Sequence, residues 1–138
     1  MRENSMAKSR TTPFDGPEWN PDIVSELASS ELNGRVGSQL VSETERVRVW
    51  HLELAPGQRI GFHRHVNDYF WTVLGSGRAM SRHSDGRVII TDYKPGDTRH
   101  YRFGPSEFML HDLENIGDTP LQFVTVEHLG GANVPLRI

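Results

Sequence analysis

From about residue 34 onward the chain is a succession of short β-type runs, each closed by a turn signal. Pro56-Gly57, Gly75-Ser76-Gly77, Ser84-Asp85-Gly86, Lys94-Pro95-Gly96-Asp97 and Gly117-Asp118-Thr119-Pro120 punctuate it. Between them lie runs rich in β-branched and aromatic residues, such as Tyr69 to Leu74 and Leu121 to His128. In Arg46 to Leu54 the side chains alternate: Trp50, Leu52 and Leu54 share one face, and His51 and Glu53 the other. Strands this short, with turn residues between them, build a sandwich or a barrel. Jelly rolls and barrels of this size enclose a cavity for a small ligand.

The N-terminal part reads differently. Residues 1–20 show no period and carry Pro13, Gly16 and Pro17, so they are expected to form an irregular arm. Phe14 and Trp19 would pin that arm to its own domain or to a second subunit. A short helix follows from Pro21, with Asn20 as its cap and Ile23, Val24 and Leu27 as its apolar stripe. The expected division is an arm and helix over 1–33 and an all-β domain over 34–138.

Composition removes several function classes. With 138 residues and no cysteine, disulfides, thiolate metal sites and cysteine nucleophiles are excluded. A net charge of −3 argues against a nucleic-acid partner. The N-terminus lacks the apolar stretch of a signal peptide, and no apolar run approaches the ~20 residues needed to cross a bilayer. A cytoplasmic location without a membrane partner is the expectation. A nucleophile elbow, a phosphate-binding glycine loop and a His-Glu-x-x-His helix are all missing from the sequence.

The chemistry concentrates in Pro56 to Tyr69. His63 and His65 lie two residues apart on a strand, so both imidazoles face one side. On a regular strand Arg59 and Gly61 share that face, with Arg59 at the rim as an anchor for a carboxylate or phosphate. His111 is the best third ligand, with His100 as its competitor. Three imidazoles suit Fe, Zn, Ni or Cu better than Mg or Ca. His51 beside Glu53, and Glu127 on the last strand, are further candidates for the cavity wall. His83, next to the Asp85-Gly86 turn, reads as solvated.

These residues resemble the two motifs of the cupins. Gly57, His63, His65 and Gly77 follow the first motif, and Gly96, His111 and Asn115 the second. The resemblance covers roughly residues 36–128 and implies an all-β double-stranded β-helix, or jelly-roll barrel. It implies a divalent transition metal on His63, His65 and His111, with Fe first and Zn, Ni or Mn as alternatives. It also implies a homodimer with a small-molecule ligand or substrate. The run His63-Arg64-His65 with Asp68-Tyr69 is similar to cupins described as β-alanine degradation proteins. One departure stands out: the glutamate of the first motif is replaced by Tyr69 or Phe70. Tyr69 is then expected beside the metal as a hydrogen-bond donor or phenolate, and Asp68 would need a bulge to turn inward. Three-histidine ferrous sites occur in cupin-type thiol and diketone dioxygenases. The expected function is therefore oxidation of a small anionic substrate, with Tyr69 and Arg59 as catalytic residues. A non-catalytic binding or sensing cupin, and a Zn- or Ni-dependent isomerase or lyase, are the alternatives.

Overall fold

The computed structural model describes residues 8–10, 14 and 16–138. Ten strands and one helix follow in order: β1 (Lys8–Arg10), α1 (Pro21–Ala28), β2 (Gln39–Glu43), β3 (Val47–Leu54), β4 (Arg59–His65), β5 (Asp68–Val73), β6 (Gly77–Arg82), β7 (Val88–Tyr93), β8 (Thr98–Tyr101), β9 (Met109–Asn115) and β10 (Leu121–His128). They form two antiparallel five-stranded sheets, β1-β7-β6-β9-β4 and β2-β3-β10-β5-β8. Consecutive strands β4 and β5 lie in different sheets, as do β7 and β8. The chain therefore winds between two layers as a double-stranded β-helix. The sheets do not close into one hydrogen-bonded barrel.

The core between the sheets follows from alternation. Leu52, Leu54, Val73, Ala79, Tyr93, Leu121 and Phe123 are buried together there. Turns fasten it: Asn115 donates to the carbonyls of Leu54 (2.9 Å) and Thr119 (2.8 Å), and its Oδ1 accepts from Gly117 N. A Cβ on Gly77 would run into Leu121, which explains a glycine at that strand start.

The first sheet is apolar on its outer face too. Phe62, Met80, Val88 and Leu110 are covered there by Trp19 and by Ile23 and Leu27 of α1. Asn20 caps the helix, its Oδ1 accepting from Ile23 N at 3.0 Å. Trp19 stacks on Phe62 (6.0 Å between centroids), and Phe14 meets Trp19 edge-on. The arm thus reaches its own domain through Trp19. It also supplies β1, which pairs with β7 from Lys8↔Ile90 to Arg10↔Val88. The expectation of an irregular arm is corrected at that point, because Lys-Ser-Arg has no apolar alternation to mark a strand in the sequence.

A bulge in β4 decides what faces the interior. Ile60 pairs with Leu113 and His63 with His111, so three steps along β4 match two along β9. The extra residue reverses the facing of everything before it. Ile60 packs against the inner core, and Phe62 belongs to the outer cluster.

Candidate metal centre

His63 and His65 on β4 and His111 on β9 turn into the space between the sheets. His63 and His111 are paired across the ladder. Ring centroids lie 5.0 Å apart for His63–His65, 4.7 Å for His63–His111 and 5.1 Å for His65–His111. One nitrogen from each ring falls within 4.8 Å of the other two.

Hydrogen bonds set the tautomers. His63 Nδ1 lies 2.8 Å from the Gly61 carbonyl, which only accepts, so Nδ1 carries the proton. Ser81 Oγ donates to the Asp112 carbonyl at 2.7 Å and so accepts from His111 Nδ1 at 3.0 Å. Both rings present a lone pair at Nε2. His65 Nε2 faces His111 Nε2 at 3.2 Å. Burial lowers the pKa of all three rings, so each is a neutral imidazole at physiological pH. Neutral, mutually close imidazoles, with His63 and His111 fixed by outer partners, are a donor set suited to a divalent transition metal.

The other expected residues divide sharply. Tyr69 is inside, with its ring 4.0 Å from His65 and nearly parallel to it. Its hydroxyl donates to Met109 Sδ at 3.9 Å, and burial pushes its pKa well above the ordinary phenol value. It is a neutral wall against His65. Arg59 is elsewhere. The bulge puts it on the outer face, where its guanidinium binds Glu26 (2.7 and 2.8 Å) and Asp112 (2.6 Å). The expected rim anchor is thus committed to carboxylates of its own chain.

Asp68 stays out of the triad: its Oδ1 accepts from Phe103 N at 2.8 Å. His100 lies on the far face of β8, against Phe70. His51 is exposed. Glu127 is buried but turned away, accepting from Trp50 Nε1 (2.7 Å) and Asn67 Nδ2 (2.8 Å).

His83 is the residue that sequence reading missed. It is 8% exposed, with its ring 5.2 Å from His111 and its Nε2 3.4 Å from Ser81 Oγ. Burial lowers its pKa to about 4. The available signal was period two from Ala79 through Ser81, which carries the inward face one step past the end of β6.

The triad borders a cavity of about 590 Å³. Trp71, Tyr93 and Phe123 form an edge-to-face aromatic cluster on its wall. Its charged lining is Arg87, Lys94 and Arg99 against Asp92 and Asp97.

A double-stranded β-helix with three inward imidazoles defines a metal-binding protein of cupin fold. Solved structures agree. A cupin domain from Bordetella pertussis Tohama I is 27% identical with a TM-score of 0.57, over 65% of this chain and 88% of that one. A conserved Klebsiella pneumoniae protein with a double-stranded β-helix domain is 28% identical with a TM-score of 0.54, over 78% and 90%. These neighbours support placing the chain in the cupin superfamily. In sequence it is 36% identical over 73 residues to the oxalate decarboxylase OxdC of Bacillus subtilis (strain 168). That match spans 51% of this chain and only 18% of the relative. No family model matches. Among the described residues no helix is long and apolar enough to cross a membrane.

Proposed function

We propose that this protein is a metal-dependent enzyme that oxidises a small anionic molecule with dioxygen. One observation carries the reading: one ring nitrogen from each of His63, His65 and His111 lies within 4.8 Å of the other two, beside an aromatic cavity. Those three residues hold a divalent transition metal, with iron the best suited to the reaction. When bound, it supplies an electrophilic centre for dioxygen and substrate. Three neutral ligands leave its full charge uncompensated, which favours an anionic substrate. Arg99 on the lining acts in the same direction, offset in part by Asp92 and Asp97, while Arg87 is paired with Asp85 at 2.8 Å. Trp71, Tyr93 and Phe123 keep water away, and Tyr69 holds the His65 ring flat from behind.

The match to oxalate decarboxylase favours a second reading, a lyase acting on a small carboxylate without net oxidation. The likeness of His63-Arg64-His65 and Asp68-Tyr69 to β-alanine degradation cupins agrees with a carboxylate in either case. We propose a cytoplasmic homodimer as the working form, since pairing would cover free sheet edges.

The test is anaerobic iron loading of the wild type and His63→Ala, followed by metal analysis and oxygen uptake with a panel of small carboxylates, thiols and diketones. The oxidative reading expects one iron per chain in the wild type, little in the variant, and substrate-dependent oxygen uptake. Carbon dioxide release without oxygen uptake selects the lyase. Tight metal binding with no turnover of any member leaves a binding protein.

A further inference from the structure

The hydrogen bonds that fix two of the three imidazoles converge on a charged network outside the sheet. His63 Nδ1 donates to the carbonyl of Gly61, inside the β4 bulge. The next amide, Phe62 N, donates at 2.9 Å to Glu26 Oε2, which comes from α1. The same carboxylate takes both terminal nitrogens of Arg59. A Cβ on Gly61 would sit 3.0 Å from Glu26 Oε2, so the carboxylate lies directly against the bulge. His111 is tied to the same network by a second route. Its Nδ1 donates to Ser81, Ser81 donates to the Asp112 carbonyl, and the Asp112 carboxylate is gripped by Arg59 and Arg82. His65 has no such tie, and its Nδ1 is buried without a partner.

We propose that Glu26 is a positioning residue for the metal centre: from α1 it clamps the Gly61-Phe62 bulge, and the bulge carbonyl holds the His63 ring with Nε2 aimed inward. A β-bulge leaves a backbone segment outside the ladder, with amide and carbonyl orientations that neighbouring strands do not determine. Something must determine them if the carbonyl is to orient a ligand. Glu26 does so by accepting the Phe62 amide, while Arg59 bridges the carboxylate to Asp112. Glu26 does not touch the cavity. Its effect reaches His63 through one peptide unit. The helix is then part of the site as well as a cover for Phe62.

The proposal rests on the triad being a metal centre, but its test includes a metal-free readout. In the metal-free protein, imidazole NH signals are compared by NMR for the wild type, Glu26→Gln and Glu26→Ala. Gln keeps an oxygen for Phe62 N and gives up the charge, whereas Ala removes the clamp. The expected result is a shifted or exchange-broadened His63 NδH signal in Glu26→Ala, an unchanged His111 signal, and recovery of His63 in Glu26→Gln. Cobalt titration should then show affinity reduced about tenfold or more in Glu26→Ala, the usual scale for losing an outer partner of a ligand, and within about threefold of wild type in Glu26→Gln. Gly61→Ala, whose new methyl displaces the carboxylate, should weaken cobalt in the same direction and add little once Glu26 is already Ala. Glu26 lies on a surface helix with its side chain 36% exposed, so its truncation spares the inner core. A wild-type His63 signal and wild-type cobalt affinity in Glu26→Ala would overturn the proposal. Failure of the wild type itself to bind cobalt would instead strike the metal reading and leave the NMR comparison to judge the clamp.

Discussion

Glu127 shows how a single buried group sets a local energy balance. The residue is 2% exposed and its carboxyl accepts from Trp50 and Asn67, with no ion pair to it among the described residues. Burial raises its pKa above the ordinary carboxylate value, and the two hydrogen bonds offset part of that rise. A raised carboxylate stabilises the fold when protonated. That stability is lost as pH rises from the unfolded value of about 4.5 through the folded one. Glu127→Gln removes the charge. Asn67 accommodates it by flipping its amide, because its Oδ1 now has no partner to lose. The expected outcome is unchanged stability at pH 7 or a gain of ~1 kcal/mol, the scale of one hydrogen bond, with a flatter pH dependence above 4.5. Urea unfolding at pH 5 and pH 7 measures both, and a loss above ~1 kcal/mol would mean that the fold requires the carboxylate. At this scale the three histidines were readable in the sequence, since His63 and His65 share a face on any extended strand and His111 had a matching strand. Arg59 was not, because a one-residue bulge leaves no compositional mark beyond Gly61 and reverses the face of all that precedes it. His83 was misread for a related reason: nearness to a turn suggested solvent, but the inward period ran on past the strand end.

At the scale of elements, α1 is the informative piece. Its apolar stripe explains why the outer face of β4, β6, β7 and β9 is apolar, and Ile23 and Leu27 seal that face. The asparagine cap, the leading proline and the Ile23 and Leu27 part of the stripe were legible in the chain, but Val24, expected in the stripe, points to solvent at 42% exposed. The partner of the helix was not, since a stripe says that a surface is covered and not which one. Its electrostatic tie makes it sensitive to acid. The Arg59 hydrogen bonds hold the pKa of Glu26 below the ordinary carboxylate value, against a smaller opposing effect of burial. A depressed carboxylate stabilises the docked state above the unfolded pKa of about 4.5, and that contribution disappears as pH falls through the folded value. The α1 amides and Phe62 NH should therefore shift in an NMR titration below pH 4.5, while β10 amides hold still over the same window. Arg59→Met should move the α1 transition up toward 4.5. Coincident movement of α1 and β10 would show that the helix does not respond as a separate unit.

At the scale of the whole molecule, the turn signals and short β runs carried the architecture, while the strand formed by Lys8–Arg10 left no trace in side-chain pattern. The two-sheet fold brings β4 and β9 together with two imidazoles face to face, so a metal there would join neighbouring strands of one sheet. It would bind only the assembled ladder, because His65 and His111 are 46 residues apart along the chain. Binding to the native state alone stabilises by about 2.7 kcal/mol when free metal is ~100-fold above Kd. For a chain of this size each kcal/mol raises Tm by roughly 3 °C, so saturating cobalt should raise it by about 8 °C. His63→Ala should abolish the shift. His83→Ala should keep it when measured against its own metal-free Tm, because His83 stands outside the grouped nitrogens. Loss of the shift in His83→Ala as well would make His83 a fourth ligand, filling from just past the end of β6 the place that the motif's glutamate leaves open. Differential scanning calorimetry of the three proteins, with cobalt and with chelator, separates those outcomes.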